Sequence, residues 1–126
     1  MGLIREEIEL VGVEKSKKIA ALFDSGARRN YIRRRFENGE SVDDIGFHVY
    51  EGAHEAVLAD ESTAKGVRVR FKELRMRGRV VANPQFVILE NLVEDMIIGA
   101  GFMQEFGIVL DPPNESLVLR PVPGKS

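Results

Sequence analysis

Short hydrophobic segments alternate with charged residues and glycines along the chain, and this pattern predicts strands rather than long helices. The clearest alternation spans residues 67–72, where valine and phenylalanine alternate with arginine and lysine. A strand with this pattern covers a hydrophobic core with one face and meets water with the other. A weaker alternation in residues 4–10 predicts a first strand that ends at Val13, followed by a turn at residues 15–18.

The rest of the chain continues in short elements. An apolar run at residues 19–23 is too short for a helix and ends in turn-forming residues, so it predicts a buried strand. Apolar residues with helical spacing predict a helix over residues 100–106, which Gly107 ends. Further strands are predicted at residues 46–50, 54–59, 67–76, 79–82, 86–89, 108–110 and 117–119. The pattern therefore predicts an all-β fold with one short helix near the C-terminus.

Length and composition indicate one domain and exclude several kinds of chemistry. The chain has 126 residues, which predicts a single domain over residues 1–126, with residues 121–126 as a loose tail. The absence of cysteine excludes disulfides, thiolate zinc sites and cysteine nucleophiles, and it fits the cytoplasm, where we expect the protein. No segment is long and apolar enough to span a membrane. A formal net charge of -2 provides no general attraction to nucleic acid or to an anionic membrane.

Two motifs that lie far apart in the chain carry the candidate chemistry. The first, Asp24-Ser25-Gly26-Ala27, follows the apolar run, and the second, Ile97-Ile98-Gly99, precedes the predicted helix. Together with the apolar strand after the helix, these motifs resemble the retropepsin-like family of aspartic proteases, from about Ile8 to Leu119. The resemblance implies the acid protease fold of that family, a closed barrel-like subunit, and the activity of an aspartic endopeptidase. We expect no cofactor.

The chemistry of this family requires two carboxyl groups. Aspartic proteases hydrolyse amides with a water molecule held between one ionised and one protonated carboxyl group. This chain has one Asp-Ser-Gly motif and is too short for an enzyme with two such lobes. The resemblance therefore implies that two copies of Asp24 meet in a homodimer, which binds an extended peptide or protein substrate.

The resemblance also assigns roles to the residues around the catalytic Asp24. Ser25 would hydrogen-bond across the dimer axis, Gly26 would let backbone amides approach the carboxylate, and Ala27 would form a small wall under the substrate. The second motif, Ile97, Ile98 and Gly99, would pack beneath the loop and support it. The flap over the substrate would contain Ala59, Asp60, Glu61 and Ser62.

Three positions depart from the family pattern. Viral members often have an acidic residue at the position of Arg28 and a basic residue at the position of Ala100, and this pair braces the active-site loop. Here the first position is basic and the second is neutral. The brace is therefore missing, and the substrate subsites of viral members do not carry over to this chain. Glu61 also stands where many relatives have glycine.

The sequence leaves other interpretations of the same residues open. Asp24 is also a common residue type in structural turns, and the chain would then be a catalytically silent module that binds peptides or assembles other proteins. Arginines at positions 28, 29 and 33–35 form a basic cluster that suits phosphates, but acidic residues just downstream favour a solvated surface, so we do not expect nucleic-acid binding. His48 and His54 lie near glutamates, but their spacing closes no ligand set on an extended chain, so no metal site is predicted.

Overall fold

β-Strands are the main elements of the fold. The computed structural model describes residues 3–57 and 63–121, which form eleven strands, one α-helix and two 3-10 helical turns. No helix formed by these residues is long and apolar enough to cross a membrane. The elements are β1 (Leu3–Val11), β2 (Ser16–Asp24), β3 (Tyr31–Arg33), a 3-10 turn (Val42–Asp44), β4 (His48–Val57), β5 (Thr63–Arg70), β6 (Glu73–Met76), β7 (Arg79–Ala82), β8 (Gln85–Leu89), β9 (Met96–Ile98), α1 (Ala100–Glu105), β10 (Ile108–Asp111), a second 3-10 turn (Pro112–Asn114) and β11 (Ser116–Leu119). The prediction of an all-β fold with one short helix near the C-terminus is confirmed.

Strands from distant parts of the chain are neighbours in the sheet. Within the described residues, nine strands form one sheet in the order β4-β5-β8-β3-β9-β2-β1-β6-β7, and β10 and β11 pair separately. Strand β9 comes late in the chain, yet it lies between β2 and β3, parallel to β2 and antiparallel to β3. Strand β3 is in turn parallel to β8. This topology places the two sequence motifs on adjacent strands.

The sheet wraps around one hydrophobic core to which almost every element contributes. Side chains from ten of the strands and from α1 form a single buried cluster. Ile4, Ile8 and Leu10 are buried in it, as the alternation in β1 predicts. Phe71 packs edge-on against Phe86, with ring centroids 5.6 Å apart. In the described residues β4 and β7 are the edge strands of this sheet, so closure of the subunit into a barrel stays a prediction.

The first turn lies earlier than predicted. Strand β2 begins at Ser16, so the prediction of a turn at residues 15–18 is wrong. The chain reverses just before, where the Gly12 N–H donates to the Lys15 carbonyl oxygen at 2.9 Å. A Cβ on residue 12 would lie 2.2 Å from the carbonyl oxygen of Ile45. Glycine is therefore needed at this position because another backbone segment passes so close.

Three of the strand predictions are also wrong. The strand predicted at residues 67–76 is divided into β5 and β6, because the Lys72 N–H donates to the Val11 carbonyl oxygen of β1 at 2.9 Å and the chain moves to another part of the sheet. The strands predicted at residues 46–50 and 54–59 are one strand, β4, whose pairing with β5 shifts in register twice. The end of that prediction and residues 122–126 of the predicted tail lie outside the described residues.

Candidate active site

Asp24 ends strand β2, and the turn that follows holds its carboxylate. Asp24 is partly buried, and its Oδ1 accepts a hydrogen bond from the Gly26 N–H at 2.8 Å. The Ala27 N–H donates to the Asp24 carbonyl oxygen at 3.1 Å and closes the turn. Ser25 and Gly26 are exposed at its tip. These bonds also occur in purely structural turns, so the neighbours of the turn decide what the carboxylate can do.

The second motif lies directly beside this turn. Strand β9 runs parallel to β2 with Phe23 opposite Ile98, and continuation of that register places Gly99 next to Asp24. The N–H of the residue after Gly99 donates to the Ala27 carbonyl oxygen at 2.7 Å. The structure therefore brings the two motifs together and joins them by a short backbone hydrogen bond.

Gly99 allows this close approach because it has no side chain. Its backbone is extended, with φ -95° and ψ 176°, so the need for glycine is not conformational. A Cβ would lie 2.5 Å from the carbonyl oxygen of Arg29 and 2.8 Å from that of Ala27. Both distances are shorter than van der Waals contact. Any larger residue at position 99 would push the segment after Asp24 away from β9.

Asn30 links three segments at this place, and its role is not among those predicted from the sequence. It is the one buried polar residue among the described residues. Its Oδ1 accepts a hydrogen bond from the Gly99 N–H at 2.9 Å, and its Nδ2 donates to the Gln85 carbonyl oxygen at 3.2 Å. The only signal in the sequence is an amide directly before the apolar residues Tyr31 and Ile32. Asn30 therefore fixes the Asp24 turn to both β8 and β9.

A second hydrophobic cluster lies beside the Asp24 turn, on the opposite face of the sheet from the core. Side chains alternate between the faces of a strand, so Ile98 belongs to the core while Ile97 packs against this cluster. Ala27 and Ile97 are partly buried and connect the cluster to the turn. Its buried members are Tyr31, Val87, Leu89 and Leu92. An apolar surface next to a carboxylate suits the side chain of a bound peptide.

The basic cluster that follows the first motif is partly neutralised by carboxylates. Arg33 lies 3.8 Å from Asp95, and Arg34 lies 2.7 Å from Asp43 and 3.4 Å from Glu90. Asp43 is one of the acidic residues just downstream of the cluster in the sequence. These pairs reduce the positive field that a phosphate backbone would need.

Some of the predicted site residues fall outside the part of the chain that the structure describes. The flap residues Ala59, Asp60, Glu61 and Ser62 all lie there, so their role stays a prediction. Within residues 3–57 and 63–121, no three His, Asp or Glu side chains gather as potential ligands of a metal ion.

Comparison with known proteins links both motifs to aspartyl proteases. A family model described as aspartyl protease matches residues 10–102, which include both motifs. The fold is similar to the retroviral protease-like domain of Ddi1 from Leishmania major, with a TM-score of 0.65 and 14% identity over 94% of this chain and 89% of that chain. It is also similar to a retropepsin-like aspartic protease from Rickettsia conorii, with a TM-score of 0.59 and 15% identity over 87% of this chain and 77% of that chain. No curated protein matches the chain.

Proposed function

The chain belongs to the retropepsin-like family of aspartyl proteases, and we propose that it is an aspartic endopeptidase that acts as a homodimer. The observation that carries this proposal is the position of Asp24. Its carboxylate lies at the end of β2, is oriented by the Gly26 N–H, and is supported from the side by β9. An exposed turn held this firmly suits a catalytic group that must keep its direction while substrates come and go.

The proposed reaction is hydrolysis of a peptide bond by water. Two Asp24 carboxyl groups, one from each subunit, hold the water between them. The ionised carboxylate takes a proton from the water, and the protonated carboxyl group donates a hydrogen bond to the carbonyl oxygen of the scissile bond. Two carboxylates about 3 Å apart cannot both be ionised, so the pair shares one proton.

Two features support a contribution from a second copy of the chain. The sequence contains a single Asp-Ser-Gly motif, whereas the reaction uses two carboxyl groups. Leu3 lies opposite Asp24 on the neighbouring strand β1 and is 57% exposed. Burial of such a side chain against a twofold-related copy would remove apolar surface from water beside the active site.

The apolar cluster next to the turn indicates how the peptide is held. We infer that an apolar side chain near the scissile bond packs against Ala27 and Ile97, with Tyr31 behind them. The flap residues at positions 59–62 would close over the peptide from the other side. Backbone hydrogen bonds along the extended peptide would supply affinity that depends little on sequence.

Replacement of the carboxylate tests the proposal. Asp24→Asn is nearly isosteric, so the protein is expected to unfold at the same temperature as the wild type but to lose peptide hydrolysis by about 10³-fold or more. Glu37→Gln removes an exposed carboxylate outside both motifs and is expected to leave hydrolysis unchanged. Retained hydrolysis by purified Asp24→Asn protein would refute the role of Asp24. A wild type that binds peptides but cleaves none would instead identify a catalytically silent module.

A further inference from the structure

A cavity of about 290 Å³ opens beside the active-site turn and plays no part in the proposed reaction. It lies between the segment after Asp24, strand β5, the turn from β7 to β8, and helix α1. We call it the arginine pocket, because Arg29 and Arg68 line it. The residues used in the argument are Arg29, Arg68, Asn83, Gln85, Phe102 and Glu105.

Arg29 is the basic side chain of this pocket that is available to a ligand. It is exposed, and no carboxylate oxygen of the described residues lies within 4.0 Å of it. Arg29 differs in this from Arg5, Arg75 and Arg77, which form ion pairs, and it differs from the neighbouring Arg28 in that it lines the pocket. A planar guanidinium group next to an open cavity is suited to bind a carboxylate through two parallel hydrogen bonds.

The other residues that line the pocket suit a side chain that carries a carboxylate on methylene groups. Arg68 contributes a second positive charge, and Asn83 and Gln85 contribute amide groups. Phe102 supplies an apolar surface for methylene groups. Glu105 also lines the pocket and opposes a bound anion, so binding of a carboxylate depends on the exposed guanidinium group of Arg29.

The pocket is continuous with the active-site turn through two consecutive residues. Arg29 lies five residues after Asp24, and Asn30 both lines the pocket and holds Gly99. We propose that the arginine pocket binds an acidic side chain of the peptide substrate and thereby selects substrates; this inference rests on the proposed protease function and deepens it. A peptide bound along the Asp24 turn would reach the pocket with a side chain some residues away from the scissile bond.

Cleavage of paired peptides tests the selection. A library in which each position carries either Glu or Gln is expected to show one position where Glu raises kcat/KM about tenfold, which corresponds to about 1.4 kcal/mol. Arg29→Gln should abolish this preference, and Glu105→Gln should increase it. Arg28→Gln is the matched control, because it removes the neighbouring charge from a residue that does not line the pocket, and it should keep the preference. Equal loss in Arg28→Gln and Arg29→Gln would overturn the proposal in favour of a general charge effect.

A binding measurement separates failure of the pocket from failure of the protease function. NMR titration of Asp24→Asn protein with N-acetyl-glutamate amide is expected to shift side-chain signals of Arg29, whereas N-acetyl-glutamine amide should not. Binding of the glutamate compound together with no cleavage of any peptide would support the pocket and refute the protease function. Cleavage without a preference for Glu, together with no shift, would refute the pocket alone. Tighter binding of a peptide with a free C-terminal carboxylate than of an amidated peptide ending in Glu would refute the assignment of the pocket to a side chain. Salt-sensitive shifts with an oligonucleotide, together with no shifts with any peptide, would refute a peptide ligand.

Discussion

Substitution of Gly99 by alanine tests whether the second motif supports the Asp24 turn. The new Cβ would lie 2.5 Å from the carbonyl oxygen of Arg29 and 2.8 Å from that of Ala27. Both atoms belong to backbone, which cannot rotate away like the end of a side chain. The segment after Asp24 would have to retreat by roughly 0.9 Å to reach an ordinary contact of about 3.4 Å.

The cost of this retreat follows from the contacts that it disturbs. Overpacking of a tight site costs about 1–3 kcal/mol. The retreat also weakens the hydrogen bond between the Ala100 N–H and Ala27 and the one between the Gly99 N–H and Asn30, each worth about 1 kcal/mol. Together these terms predict a loss of about 3 kcal/mol in the free energy of unfolding. In a domain of this size, such a loss lowers Tm by about 10–15 °C.

The matched control is Gly101→Ala, two residues further along. A Cβ at that position meets only the Arg28 carbonyl oxygen, at 3.3 Å, and alanine favours a helix over glycine by up to about 1 kcal/mol. This variant should therefore keep the stability of the wild type or exceed it slightly. Both variants would be compared by thermal unfolding and by peptide cleavage at a temperature where each is fully folded. Equal stability and activity of Gly99→Ala and Gly101→Ala would refute the idea that β9 supports the turn.

Three further predictions follow from the described contacts. Asn30→Ala leaves the buried Gly99 N–H without its acceptor and should lower the free energy of unfolding, measured by chemical denaturation, by about 2 kcal/mol. The control Asn91→Ala changes an exposed residue and should alter this free energy by no more than about 0.5 kcal/mol. An equally small change for Asn30→Ala would contradict the linking role of Asn30. The hydrogen bond from Lys17 lowers the pKa of Glu40 to about 2, so Glu40→Gln should be less stable than the wild type near neutral pH. Because the pKa of Glu40 is lower in the folded state than in the unfolded state, this difference in stability between the two proteins should persist above about pH 4.5 and disappear as the pH falls toward about 2. High salt should reduce the difference in stability. A difference that does not depend on pH would contradict the ion pair. The rate of peptide hydrolysis should follow a bell-shaped curve in pH because the carboxyl pair must carry one proton, and a rate that rises steadily into alkaline pH would exclude this mechanism.

Local patterns predicted the parts of the fold that depend on local sequence. Strands β1 and β5 alternate between apolar and polar residues, and both were predicted with the correct buried face. Strands β3 and β9 have three residues each, too few for a period of two to be visible, and they were missed as strands. Both form because β9, which comes late in the chain, inserts between β2 and β3, which come early in the chain.

In the candidate site, too, local motifs were visible in the sequence, whereas contacts between distant residues were not. The residue types of the first motif pointed to Asp24 directly, because a carboxylate in a glycine turn after an apolar strand is visible in the sequence. The role of Asn30 was not visible, since its partner Gly99 lies 69 residues away. The arginine pocket likewise combines Arg29 with residues of β5, β8 and α1. Such contacts are set by the sheet topology and not by any local pattern.

The most direct test of the shared active site is a mixing experiment. Wild-type protein would be refolded with about a ninefold excess of Asp24→Asn protein, so that nearly all wild-type chains pair with an inactive partner. If each active site uses one Asp24 from each subunit, hydrolysis per wild-type chain should fall to about one tenth of its value without the variant. Unchanged hydrolysis per wild-type chain would show that each subunit works alone and would contradict the two-carboxylate mechanism.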